Sequence, residues 1–98
     1  MNLHERVSRM EGEMVQFLQT LVRIPSVKSD EAGAGAPFGK DAARALSEVL
    51  SWGENQGFQC KNIDGYAGHI EYGGGDETVG VLVHLDVVPA GDGWNHPP

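Results

Sequence analysis

The sequence predicts an α/β fold in which two amphipathic helices precede three strands. Three observations carry this. Apolar residues recur at steps of three and four through the first half of the chain. Most of the 14 glycines lie in the second half, where short apolar runs alternate with turn signals. The run Val79 to Leu85, VGVLVHL, is almost continuously apolar, the pattern of a strand covered on both faces.

The first helix is expected over residues 3–23. Leu3, Val7, Met10, Met14, Phe17, Leu18 and Leu21 form its apolar stripe, with Met10 and Met14 assigned to the core. Asn2 is placed to cap it. Pro25 ends the pattern, because the residue before a proline is pushed toward extended conformations. Ile24 to Val27 therefore leaves the helix extended, and residues 28–37, KSDEAGAGAP, form a loop. The second helix runs from Gly39 to Gln56 on the stripe Ala42, Ala45, Leu46, Val49 and Leu50, with Gly57 just past its end. Strands follow at Phe58 to Ile63, Tyr66 to Tyr72 and Val79 to Leu85. Gly73-Gly74-Gly75-Asp76 is read as the hairpin turn joining the last two into an antiparallel pair. Residues 86–98, DVVPAGDGWNHPP, make a long turn.

Charge and composition narrow the function. Seven basic against 14 acidic residues give a net charge of −7, which opposes binding to nucleic acid or an anionic membrane. No apolar run approaches the roughly 18 residues of a membrane span. Glu5, Arg6, Arg9, Glu11 and Glu13 interrupt the place where a signal peptide would be apolar. The single cysteine, Cys60, excludes an intrachain disulfide. A cytoplasmic location is expected. A central strand buried on both faces also needs layers on both sides. Two helices and two further strands are too few to supply them, so the 98 residues are expected to be the N-terminal portion of a larger α/β domain.

The chemistry concentrates at the end of the third strand. His84 and Asp86 are two apart, so in an extended chain both side chains point to one face. Ligand sites of open α/β sheets lie beyond the C-terminal ends of their strands. Imidazole is a common zinc ligand, and a neighbouring carboxylate fixes its tautomer and raises its basicity. The pair is thus half a metal site: a ligand and the group that orients it. A bare His-x-Asp occurs by chance in many chains, and either residue could serve only the strand or the turn.

The surrounding residues resemble a known family. His84-Leu85-Asp86-Val87-Val88-Pro89, followed by Gly91, Trp94 and a proline, is similar to the co-catalytic zinc metallopeptidases. That family includes glutamate carboxypeptidases, desuccinylases, aminoacylases and carnosinase-like dipeptidases. Leu21 to Val27, LVRIPSV, resembles its first-helix exit, and the compact Pro89 to Trp94 turn looks most like the bacterial dipeptidase branch. Val83 departs from the pattern, standing where glycine is frequent. The resemblance implies a zinc-exopeptidase-like α/β/α catalytic domain with residues 1–98 as its N-terminal part. It makes His84 a ligand of one of two zinc ions, with manganese or cobalt as alternatives, and Asp86 the catalytic-site acid that holds it. The other ligands and the general base would come from residues beyond these. The implied reaction is metal-dependent hydrolysis of a dipeptide, a small-molecule substrate, with residues 1–98 inactive by themselves. Deacylation or desuccinylation of N-acyl amino acids is the alternative within the family. A non-catalytic α/β interaction module is the alternative outside it.

The remaining polar and aromatic residues receive ordinary roles. Asp92 belongs to turn chemistry, Trp94 to packing, and His96 to a loop. His69 and His4 are surface residues, and Cys60 is an inert strand residue.

Overall fold

The computed structural model describes residues 1–98. It contains three helices, α1 (Leu3–Arg9), α2 (Glu11–Val22) and α3 (Lys40–Asn55), and two strands, β1 (Gln59–Ile63) and β2 (Ala67–Glu71). The sheet is this antiparallel pair alone, in the register Gln59↔Glu71 through Ile63↔Ala67.

The expected first helix is two. Asn2 caps α1, its side-chain oxygen accepting the Glu5 N–H at 2.8 Å. At Met10 the N–H bonds the Val7 carbonyl, a tighter i→i−3 closure that separates α1 from α2. Gly12, a poor helix former, follows two residues later. Neither helix buries a residue, and Met10 and Met14 are about half exposed, which corrects their assignment to the core. Only one edge of the stripe packs: Phe17 is half-buried and stacks on Trp52 of α3 with ring centroids 5.6 Å apart.

The core forms where α3 crosses the hairpin. Ala45, Leu46 and Leu50 are buried, together with Ile24 from the helix exit. Glycines let the layers approach. A Cβ on Gly53 would lie 2.7 Å from Cys60 Sγ and 2.9 Å from Ile70 Cδ1. A Cβ on Gly68 would lie 2.9 Å from Leu46 Cδ1. Gly57 takes φ 88° just past α3, as its position in the sequence predicts.

The hairpin joins different strands from those expected. Its turn is Asp64-Gly65, with φ 53° and 78°, closed by the Tyr66 N–H on the Ile63 carbonyl at 2.9 Å. An Asp-Gly pair favours a positive φ at both turn positions, and this signal outranks the Gly73 to Asp76 run. That run leads into no strand. Val79 to Leu85, the expected third strand, has no ladder partner, and its Val79, Val81, Leu82 and Val83 are largely or fully exposed.

Candidate metal centre

Residues 73–98 contain no helix and no strand. Their backbone takes part in one backbone–backbone hydrogen bond, from the Val87 N–H to the Ser26 carbonyl at 3.1 Å. It forms the isolated parallel bridge Val27↔Val87. Ser26 adds a second tie, its hydroxyl donating to the Leu85 carbonyl at 3.1 Å. Ser26 is buried, and its own N–H closes on the Ile24 carbonyl at 2.8 Å, so the anchor belongs to the packed part of the chain.

The anchored stretch carries His84 and Asp86, and the structure brings the two together. His84 Nδ1 lies 3.3 Å from the Asp86 carboxylate and 3.0 Å from the Asp86 carbonyl oxygen. Both neighbours are acceptors when the carboxylate is ionised. The proton of a neutral imidazole therefore belongs on Nδ1, which leaves the Nε2 lone pair free. The imidazole side chain is 84% exposed, so nothing in the chain covers that nitrogen. The hydrogen bond is to the Asp86 backbone carbonyl, with the carboxylate close beside it, so Asp86 orients the imidazole chiefly through its main chain.

The donor set within the chain ends there. No cluster of three or more His, Cys, Asp or Glu side chains is in reach of a common ion. A zinc site with catalytic capacity takes about three protein ligands plus water. His84 and Asp86 would thus fit one ligand and its orienting group, and no third candidate donor joins them.

An open cavity of about 1010 Å³ lies between α3, β2 and residues 77–86. Leu46, Val49 and Leu50 line it from one side, Gly68 and Ile70 from another, and His84 and Asp86 are among the residues of the third.

The other singled-out residues stand apart. Asp92, His96, His69 and His4 are exposed. Trp94 is exposed too, and its indole N–H donates to the Ala90 carbonyl at 2.9 Å, closing the Pro89 to Trp94 turn on itself. Cys60 is half-buried against α3, and burial, then the Glu54 carboxylate, raise its thiol pKa from the ordinary value. Ser26 is the residue that sequence reasoning passed over. Its signal was a small hydroxyl in the LVRIPSV exit, directly after the proline.

No helix is long and apolar enough to cross a membrane. No protein-family model matches the chain. Among curated proteins, it is 46% identical over 99 residues to "Putative dipeptidase YtjP" of Bacillus subtilis (strain 168), covering 100% of this chain and 21% of that protein. It is 41% identical over 95 residues to "Putative dipeptidase" of Staphylococcus epidermidis, covering 96% of this chain and 20% of the relative. A Staphylococcus aureus (strain USA300) protein, "Putative dipeptidase SAUSA300_1697", is 39% identical over 95 residues, with the same coverage. The chain spans about a fifth of the length of these relatives, and over that fifth it is similar to proteins named as dipeptidases.

Proposed function

We propose that residues 1–98 are the N-terminal part of the catalytic domain of a metal-dependent dipeptidase. The observation that carries this is His84, whose Nδ1 faces two acceptors of Asp86 while Nε2 stays open. It lies in a chain of which 96 to 100% matches about a fifth of proteins named as dipeptidases.

His84 would hold a zinc ion through Nε2, one of two in the complete site, with manganese or cobalt as substitutes. When bound, the metal supplies Lewis acidity toward the scissile carbonyl and lowers the pKa of a water molecule. What this chain contributes is orientation. Asp86 keeps the His84 proton on Nδ1, so the ligating nitrogen presents its lone pair without first losing a proton. The Asp86 carboxylate also offsets the positive charge that the imidazole takes on when it shares that lone pair. Proton transfer from water and recognition of the substrate carboxylate fall to groups outside residues 1–98. The chain by itself is expected to show negligible hydrolysis.

The test is a chimaera in which residues 1–98 replace the matching fifth of the Bacillus subtilis relative. It is assayed with metal on dipeptides and on N-acyl amino acids. Dipeptide hydrolysis is expected, lost by more than about 100-fold in His84→Ala and reduced by about 10- to 100-fold in Asp86→Asn. Hydrolysis confined to N-acyl amino acids would favour the deacylase alternative. Dipeptide turnover indifferent to His84→Ala would remove the ligand assignment.

A further inference from the structure

We propose that Ser26 is the positioning residue of the His84–Asp86 pair. The His84 side chain is 84% exposed, so no packing fixes its ring. Its only polar neighbours are the carbonyl and carboxylate of Asp86. Those two acceptors face one nitrogen only while the peptide units on either side of Asp86 keep their orientation. Two hydrogen bonds hold these units, and both end on Ser26. Its hydroxyl donates to the Leu85 carbonyl before Asp86, and its carbonyl accepts the Val87 N–H after it.

No other backbone–backbone bond reaches residues 73–98. Ser26 is itself immobilised, 1% exposed beside the equally buried Ile24. Position therefore passes from the core at Ile24 through Ser26 to the peptide units around Asp86, and from Asp86 to the imidazole. A serine suits the place because it offers a hydroxyl donor and a backbone acceptor within the volume of a buried small residue. As a role in hydrolysis this rests on the metal-ligand reading above. As a statement about the His84 proton it stands independently of any metal.

The experiment follows nitrogen-15 shifts of the His84 ring and amide exchange at Val87, in the full chain and in Ser26→Ala and Ser26→Cys. The wild type is expected to hold the proton on Nδ1. Ser26→Ala should move His84 toward the tautomer mixture of a free imidazole and speed Val87 exchange by roughly 3- to 10-fold, the effect of one lost hydrogen bond. Cysteine has nearly the volume of serine but is a weak donor, so Ser26→Cys should fall between the two. Unchanged His84 shifts in Ser26→Ala would overturn the proposal. So would wild-type behaviour of Ser26→Cys beside a perturbed Ser26→Ala, since that pattern means volume rather than donation. The metal-loaded chimaera separates the two readings: a tautomer shift in Ser26→Ala beside dipeptide turnover indifferent to His84→Ala leaves Ser26 in its role and removes the metal ligand.

Discussion

The unit made by α3 and the hairpin, residues 40–71, and the segment after it, residues 73–98, contrast in almost every respect. The first satisfies its backbone through a 16-residue helix and a paired ladder, and it supplies most of the buried apolar residues. The second is held by two hydrogen bonds to one serine and exposes nearly all its apolar side chains. Yet Val79 to Leu85 is the most apolar run in the chain, whereas β1, QCKNI, is mostly polar. Strand formation follows the availability of a partner more closely than it follows hydrophobicity. β1 and β2 have each other across a tight Asp64-Gly65 turn. Val79 to Leu85 has no strand to pair with.

This contrast predicts how substitutions of similar chemistry diverge. The largest effect is expected at Leu50, buried under the hairpin. Leu50→Ala should cost about 2 to 5 kcal/mol in chemical denaturation, enough to unfold much of a chain this small. A smaller loss is expected at Gly53. Gly53→Ala gains up to about 1 kcal/mol of helix propensity. It also drives a methyl against Cys60 Sγ and Ile70, an overpacking cost of about 1 to 3 kcal/mol. The net should be a lower thermal midpoint, and a rise would show that the hairpin yields more readily than its spacing indicates. The smallest effect is expected at Leu82, fully exposed in the open segment. Leu82→Lys should change the unfolding free energy by no more than about 0.5 kcal/mol. A loss approaching that of Leu50→Ala would mean that Val79 to Leu85 is covered in solution.

Much of the α/β order was legible in the sequence. The second helix was read nearly to the residue, because its stripe, its flanking glycines and its hydrogen bonds all lie within one stretch of chain. Asn2 and Gly57 were legible for the same local reason. The first helix was located but not its interruption at Met10. The coverage of its apolar face was also misjudged, since a stripe says which side would pack and not whether anything arrives to pack on it. The hairpin turns at Asp64-Gly65, one turn before the Gly73 to Asp76 run that the glycine count favours. At the site, the spacing of His84 and Asp86 was enough to expect both side chains together. Ser26 was not legible as their anchor, because 59 residues separate it from Leu85 and no local pattern records so distant a hydrogen bond.

Helix positions, caps and turn residues were determined by the sequence alone, since each depends on residues a few places apart. Which apolar runs became covered, which became strands, and which buried residue holds the His84–Asp86 stretch were decided only in the tertiary structure. The physical reason is that a helix completes its hydrogen bonds within itself, whereas a strand, a core face and an anchoring serine each need a partner that only the fold can bring.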